Sequence, residues 1–306
     1  MPKLAAIALL ILAYGAAPPA RAATEPVAAT DIEVIKTQFD RDERMTVPVR
    51  LGPERIGGHD TYNFVIDTGS QSTVVARSIA ERLALPPSRR ARIIGIGGTE
   101  SADTAMVDEI GLGRRSFYNM EVVLFEARDI GGDGIVGIDS LQRQRVLLDF
   151  AKRQFTVGDV RSLGGNRGFD IVVTARRRLG QLIMTNAVID GVHADVIIDT
   201  GAQTSVGNRA LQRAMIRRAS PEKVTLVSVT GQSITADIGL PRKLSIGEFE
   251  ITNLLVAYTD SPVFDYLNLT RRPALLLGMR ELKLFKRVAI DFAANRIYFD
   301  LPELGR

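Results

Sequence analysis

The chain carries the tripeptide Asp-Thr-Gly twice, at residues 67–69 and 199–201, each time between an apolar run and small polar residues. An apolar run that ends at a turn residue and a glycine predicts a buried strand followed by a tight turn. Two such strands can bring two identical carboxylates face to face. Two aspartates that share one proton can act together as a base and an acid. This repeat therefore restricts the possible folds more than any other feature of the chain.

The motif is the first of four signals that recur in the same order in each half of the chain. A short helix with apolar residues at i and i+4 belongs to this first signal. The other three are a glycine-centred hairpin, an apolar pair ending in glycine with a short helical stretch, and a closing hairpin. The predicted helices cover 76–83 and 208–215, the glycine hairpins 92–100 and 226–233, the apolar pairs with glycine 135–137 and 276–278, the helical stretches 138–145 and 279–286, and the closing hairpins 146–157 and 288–299.

Most of the remaining segments alternate apolar and polar residues, as half-buried strands do. We therefore predict an all-β, bilobal protein with short helices and an internal pseudo-two-fold repeat. A length of 306 residues is consistent with two domains. The predicted domain limits are a signal peptide over 1–23, a flexible leader over 24–40, an N-terminal lobe over 41–163 and a C-terminal lobe over 164–306.

The N-terminal segment has the features of an export signal. A short basic start precedes an apolar stretch over residues 4–17, and small residues at 20–22 fit a cleavage site. We expect cleavage after Ala22 or Ala23, which leaves no stable membrane span, and the alternative is an uncleaved membrane anchor. Removal of residues 1–23 takes away Lys3 and Arg21, so that the formal charge falls from +4 to +2.

Composition excludes several classes of function. The mild charge does not indicate nucleic-acid binding, and the arginine runs near residues 88–92 and 176–178 are expected to be solvated loops. With no cysteine there is no disulfide, thiol nucleophile or thiolate metal site. The two histidines, His59 and His193, do not have the spacing of a zinc site or a catalytic triad. The glycines at 131–134 hint at a calcium loop but lack spaced oxygen ligands, so no metal and no cofactor is expected.

Each half resembles a subunit of the retropepsin-like aspartic proteases of bacteria, with Asp-Thr-Gly, a glycine-rich flap and the apolar-apolar-glycine segment in that order. The resemblance covers nearly all of the chain after the leader. It implies a dyad of Asp67 and Asp199. Since both halves are present in one chain, it also implies activity as a monomer. The flaps lack the tyrosine of pepsin flaps, so the retroviral-like pattern is the closer match.

Together with the export signal, the resemblance implies an exported, periplasmic endopeptidase that uses an activated water on a peptide or protein substrate. By resemblance, Thr68 and Thr200 bond across to the opposite loop, and Gly69 and Gly201 let the backbones approach closely. Two residues that follow the motifs complete the dyad support, and two glycine-centred segments form the substrate-binding flaps. The residues directly after the motifs are Ser70 and Ala202, and the flap residues are Gly95, Ile96, Gly97, Gly98, Thr230, Gly231 and Gln232.

The motifs differ at one neighbouring position, where Ser70 follows the first and Ala202 the second. A serine hydroxyl there can donate to the outer oxygen of Asp67 and favour its ionised form. This predicts Asp67 as the base and Asp199 as the acid.

Other interpretations remain open on sequence alone. The two aspartates can be helix caps, and the flap glycines can be plain hairpin glycines. The protein can be a catalytically weak peptide-binding or regulatory module of the same fold. Each lobe can also pair with its counterpart in a second chain, which gives a dimer with two sites.

Overall fold

The computed structural model describes residues 3–5, 11–13, 32–52, 60–141, 144–158, 163, 168–215 and 219–302. Most of these residues lie in strands, and the helices are few and short. This confirms the predicted all-β fold with two lobes. Within the described ranges, no helix is both long and apolar enough to cross a bilayer.

Thirteen of the described strands lie between residues 3 and 158. They are β1 (Lys3–Ala5), β2 (Ile11–Ala13), β3 (Glu33–Lys36), β4 (Gln38–Phe39), β5 (Met45–Leu51), β6 (Thr61–Ile66), β7 (Val74–Ala76), β8 (Pro87–Gly95), β9 (Gly98–Leu112), β10 (Arg115–Phe125), β11 (Gly134–Val136), β12 (Arg145–Asp149) and β13 (Gln154–Gly158).

Twelve more of the described strands follow, and short helices lie in both halves. The strands are β14 (Ile171–Arg178), β15 (Gln181–Ile189), β16 (Val192–Ile198), β17 (Ser205–Gly207), β18 (Ala219–Val227), β19 (Ser233–Gly239), β20 (Lys243–Ile246), β21 (Phe249–Thr252), β22 (Val256–Tyr258), β23 (Ala274–Leu277), β24 (Arg287–Asp291) and β25 (Arg296–Asp300). The helices are α1 (Arg77–Arg82), α2 (Ala127–Ile130), a 3-10 helix (Ile138–Ser140), α3 (Arg209–Ala214), α4 (Pro262–Tyr266) and α5 (Met279–Leu282).

The two strands that end at the motifs lie inside their sheets. β6 pairs antiparallel with β5 and parallel with β11, and β16 pairs antiparallel with β15 and parallel with β23. Strands covered on both faces are continuous apolar runs rather than alternating ones. Phe64, Val65 and Ile66 at the end of β6 are accordingly fully buried. Each strand therefore delivers the aspartate that follows it into the interior.

The helices predicted after the motifs are present, each one residue shorter at both ends than expected. The second, α3, is capped by Asn208, whose side chain accepts a 2.8 Å hydrogen bond from the Leu211 amide. The helical stretches predicted over 138–145 and 279–286 are shorter than expected. The first is a single 3-10 turn and the second is α5, and residues 142–143 lie outside the described residues.

The closing hairpins of the two halves join in one sheet. β12 pairs with β13 and β24 with β25, and β12 and β24 lie side by side, antiparallel. On one side β3 pairs with β13 and is the edge strand, and on the other β14 pairs with β25 and connects through β15 to the other strands of the second half. Asp149 and Asp291 end their strands, and each accepts an amide hydrogen bond from the residue three positions on, as expected for turn residues. The shared sheet ties the two halves into one body.

The N-terminal segment differs in part from the expected leader. Residues 33–39 lie within the expected flexible leader but form β3 and β4, which pair with β13 and β5. Within the expected signal peptide, β1 pairs with β18 and β2 pairs with β8. The remaining residues of 1–31 lie outside the described residues.

Candidate active site

The first motif holds its carboxylate with its own backbone. Asp67 follows β6 and is fully buried. Its Oδ1 accepts hydrogen bonds from the Gly69 amide at 2.8 Å and the Ser70 amide at 3.0 Å. These bonds fix the orientation of the carboxyl group and satisfy one of its oxygens.

The second motif repeats this arrangement. Asp199 follows β16 and is also fully buried. Its Oδ1 accepts from the Gly201 amide at 3.1 Å and the Ala202 amide at 3.2 Å. In both halves the motif aspartate therefore accepts from the amides two and three residues after it.

The two carboxyl groups meet between the halves. The Asp199 carboxyl group is close enough to Asp67 to lower its pKa. A Cβ placed on Gly69 would lie 2.8 Å from Oδ1 of Asp199, and one placed on Gly201 would collide with the Asp67 carboxylate. Each aspartate therefore packs against the glycine of the other motif, and a residue larger than glycine would not fit there.

The motif threonines lock the two loops together. The Thr68 hydroxyl donates to the Ile198 carbonyl at 2.9 Å, and the Thr200 hydroxyl donates to the Ile66 carbonyl at 2.7 Å. In return, each threonine oxygen accepts from the amide of the other threonine, at 3.0 and 3.3 Å. This reciprocal set is buried and makes the position of one carboxylate depend on the other half.

Burial raises the pKa of Asp67 to about 6. The backbone amides of Gly69 and Ser70 oppose this rise, as do the charge of Arg44 and the neighbouring carboxyl group of Asp199. Because the two carboxyl groups interact directly, they titrate as a pair. The pair can therefore hold one proton in mildly acidic solution.

The expected role of the Ser70 hydroxyl is wrong. That hydroxyl donates to the Ser72 carbonyl at 2.7 Å, so its hydrogen does not reach the Asp67 carboxylate. The backbone of Ser70 still supports Asp67, as the backbone of Ala202 supports Asp199. The serine at this position therefore does not distinguish the two aspartates.

The two predicted flaps are hairpins whose tips touch each other. The first is formed by β8 and β9 and the second by β18 and β19. A Cβ on Gly97 would lie 3.0 Å from the Gln232 carbonyl, and the Gln232 amide nitrogen donates to Glu100 at 3.4 Å. Gly231 has a φ of 77°, which favours glycine in the second tip. Gly95 and Gly98 also lie against the second tip, and Thr230 is half-buried within it.

Each flap reaches into the apolar interior near the site. Ile96 of the first flap is fully buried in a cluster that also contains Ile197 and Ala202 of the second half. Val229 of the second flap is fully buried in the cluster built mainly around the first half. The structure thus brings the first flap next to the second motif.

A buried hydroxyl–carboxyl pair that was not predicted from the sequence lies behind each motif. The Thr73 hydroxyl bonds to Asp139 at 2.8 Å, and the Ser205 hydroxyl bonds to Glu281 at 2.5 Å. Burial raises the pKa of both acids. The hydroxyl residues stand six positions after the motif aspartates, and that equal spacing is the signal that was available in the sequence.

Two residues before the motif strands were also missed. Gln181 is buried and donates from Nε2 to the Gly69 carbonyl at 2.8 Å, which adds another bond between the halves. Arg44 is fully buried, and its charge acts on Asp67. Nothing in the local sequence marks either residue, because their role depends on strand pairing.

Comparison with known proteins agrees with this division into two similar halves. A family model described as aspartyl protease matches residues 53–140 and 185–280, segments of 88 and 96 residues that together exceed half of the 306-residue chain. Each match contains one Asp-Thr-Gly motif. A search of curated proteins found no match.

Proposed function

Because the chain belongs to the aspartyl protease family, we propose that it is an endopeptidase whose catalytic residues are Asp67 and Asp199. The observation that carries this proposal is the meeting of two fully buried carboxyl groups, held by matching backbone bonds and by reciprocal threonine bonds. Such a pair is what hydrolysis by a shared-proton mechanism needs.

The shared proton follows from electrostatics. Two carboxylates about 3 Å apart repel each other by about 5 kcal/mol at an effective dielectric constant of about 20. The singly protonated pair is therefore the stable form over a wide range of pH. The raised pKa of Asp67, about 6, is in accord with a proton retained on the pair in mildly acidic solution.

In the reaction, the ionised aspartate takes a proton from a water molecule while that water attacks the peptide carbonyl carbon. The protonated aspartate donates its proton to the carbonyl oxygen, which forms a tetrahedral diol intermediate. Transfer of a proton to the leaving nitrogen and cleavage of the C–N bond then yield an acid and an amine. The carboxyl groups exchange protons throughout and form no covalent bond to the substrate.

The flaps would hold the peptide in an extended conformation. Their hairpin backbones offer N–H and C=O groups that can pair with a substrate strand. Since the two tips touch each other, substrate entry requires them to separate, and their return would exclude water from the site.

The test is cleavage of a peptide library by the purified protein from acid to neutral pH. We expect Asp67→Asn and Asp199→Asn each to lower kcat/KM by more than about 100-fold. The matched control is Asp149→Asn, which changes a buried carboxyl outside the site whose Oδ1 accepts a turn amide. Absence of cleavage by the wild type at every pH, with retained peptide binding, would instead indicate a binding or regulatory module.

Two further parts of the proposal concern assembly and location. We propose that one chain is active as a monomer, since both motifs contribute to one dyad. Light scattering of the active fraction tests this, and activity confined to a dimer would contradict it. We also propose export to the bacterial periplasm, which cell fractionation and the N-terminal sequence of the mature protein test.

A further inference from the structure

The strands before the two motifs place different residues opposite the two aspartates. In the first half, Thr46 pairs with Val65 and Val47 with Phe64. Continuing this antiparallel register by two residues brings residue 44 opposite residue 67. A residue opposite another across an antiparallel pair shares its face of the sheet. Arg44 and Asp67 thus occupy matching positions of this register, each one residue outside its paired strand.

The same construction in the second half gives a neutral residue. Ile183 pairs with Ile197 and Met184 with Val196. Continuing this register by two residues brings residue 181 opposite residue 199. Gln181 is buried, and its amide is used in the bond to the Gly69 carbonyl. Arg44 and Gln181 therefore occupy equivalent positions, one with a positive charge and one without.

The Arg44 guanidinium is held in place inside the protein. It is fully buried, its Nε donates to Asp40 Oδ2 at 2.7 Å, and its Nη2 donates to the Ile130 carbonyl at 3.0 Å. Asp42 lies further away, at 3.8 Å from Nη2. Within the described residues, Nη1 has no hydrogen-bond partner. The cation is thus fixed, and one of its nitrogens is not engaged by Asp40 or Asp42.

A fixed cation favours the ionised form of a nearby carboxyl group. The charged groups that act on Asp67 from the neighbouring elements are Arg44 and Asp199, and those that act on Arg44 are Asp40 and Asp42. Asp139, behind the first motif, is engaged by Thr73 and Ser140. Asp40 partly neutralises Arg44, and the effect of the Arg44 charge on Asp67 is to lower its pKa.

We propose that Arg44 is a positioning residue that makes Asp67 the ionised member of the dyad, and hence the base, and leaves Asp199 as the acid. This inference rests on the proposed function, since base and acid roles presuppose hydrolysis. Its electrostatic part holds for the protein without substrate. Arg44 thus replaces the Ser70 hydroxyl as the source of asymmetry between two otherwise matched motifs.

The experiment measures each aspartate alone by carboxyl ¹³C NMR of the labelled full chain. The pKa of Asp67 is read in the Asp199→Asn background, and that of Asp199 in the Asp67→Asn background. Arg44→Gln, which copies the neutral residue of the second half, is then added to each. We expect the pKa of Asp67 to rise by about one unit, a tenfold change in proton affinity, and that of Asp199 to rise by less than half as much.

Two further variants separate charge from structure. Arg44→Lys keeps the cation and should retain most of the wild-type pKa of Asp67. Asp40→Asn can still accept the turn amides at Oδ1 but removes the negative charge beside Arg44. It should therefore lower the pKa of Asp67, the opposite of Arg44→Gln. Loss of packing alone would not produce shifts of opposite sign, and Asp40→Asn tests the inference even if Arg44→Gln does not fold.

The inference is overturned if Arg44→Gln shifts Asp199 as much as Asp67, or if Asp40→Asn leaves the pKa of Asp67 unchanged. In the cleavage assay, Arg44→Gln should move the acid limb of the kcat/KM profile to higher pH by the same amount. If the NMR shifts appear as expected but the wild type cleaves no peptide, the proposed function fails while the electrostatic assignment stands.

Discussion

In both halves the motif aspartate accepts two backbone amides and the motif threonine donates across to the other half, but the residue opposite the aspartate is Arg44 in one half and Gln181 in the other. The matched contacts bring the two carboxyl groups together. The unmatched position changes the charge around them. A dimer of identical subunits has the same environment at both aspartates until substrate binds, whereas two fused halves can differ permanently.

The flaps show the same combination of likeness and difference. Both are hairpins, and each meets a short helix of the opposite half. The first flap packs its apolar Ile94 and Ile96 in a cluster with Phe264 of α4. The second flap instead lies beside a polar residue, since a Cβ on Gly231 would be 3.0 Å from the Asp129 carboxylate of α2. The first flap, which is held by apolar contacts, should therefore open at a different free-energy cost from the second.

The largest expected effect breaks the close approach of the two motifs. Gly201→Ala places a methyl group where the Asp67 carboxylate lies, whereas the nearest atom to a Cβ on Gly69 is 2.8 Å away. We expect Gly201→Ala to lower kcat/KM by more than about 100-fold, because small misplacements of reacting groups are costly. Gly69→Ala should be milder.

The control for this prediction is Gly132→Ala, whose nearest atom would be the Asn63 carbonyl at 3.5 Å, an ordinary contact. Steady-state kinetics on folded variants checks the expected order. A Gly201→Ala protein that keeps more than a tenth of wild-type activity would show that the two carboxyl groups need not be so close.

The next effect tests whether the threonine lock is symmetric. Thr68→Val and Thr200→Val each remove a buried hydroxyl that both donates to a carbonyl and accepts from an amide. Leaving such groups unsatisfied should lower the free energy of unfolding by about 2–4 kcal/mol in each case. Urea unfolding measures this loss of free energy of unfolding. Thr→Ser at each position should retain most of the stability.

Because the two threonines share one network, the double variant should lose less stability than the sum of the single variants. Additive losses would mean that the two halves of the lock act independently.

A third prediction concerns pH and stability. The pKa of Asp67 is raised in the folded protein to about 6 from an ordinary value of 3.8. The folded state therefore binds more protons than the unfolded state between these values, so its stability must fall as pH rises through them. Complete ionisation should cost about 2–3 kcal/mol.

The measurement is urea unfolding of wild type and Asp67→Asn across this pH range. The difference between the two proteins isolates the dyad from the other titrating groups, since Asp67 and Asp199 titrate as a pair. A difference that is constant with pH would show that folding does not raise the pKa of Asp67.

The smallest effect concerns contact between the flap tips. Gln232→Ala removes the 3.4 Å hydrogen bond to Glu100. A long, half-exposed bond of this kind contributes about 0.5–1 kcal/mol, so KM should change by less than about fivefold. Thr235→Ala, at an exposed position further along β19, is the control. A larger change in kcat than in KM would place Gln232 in the reaction rather than in flap closure.

Local patterns predicted much of this fold. The apolar runs before the motifs are β6 and β16, the i and i+4 patterns are α1 and α3, and the glycine-centred segments are the two hairpins. These elements are predictable because hydrophobic period and turn residues act over a few positions. The helical stretch after Gly137 was overestimated, since it is a single 3-10 turn before the closing hairpin.

Long-range pairing was beyond the local patterns. Glu33–Lys36 was assigned to a flexible leader, but it is the edge strand beside β13 in the sheet shared by both halves. Gln181 and Arg44 were missed because only strand pairing relates them to the motif aspartates. Each stands two positions before the first residue of the antiparallel register near its motif. From its position in the sequence, the Ser70 hydroxyl was predicted to donate to Asp67, but in the structure it donates to the Ser72 carbonyl.

The sequence by itself determined that two buried strands end in identical Asp-Thr-Gly turns within two similar halves, because apolar runs, turn residues and repeats are local properties. Tertiary structure decided which groups surround each aspartate. The cross-strand register, the reciprocal threonine bonds and the fixed Arg44 cation join residues far apart in the chain. Electrostatic effects inside a protein depend on distance and burial, and the order of residues in the chain does not specify either.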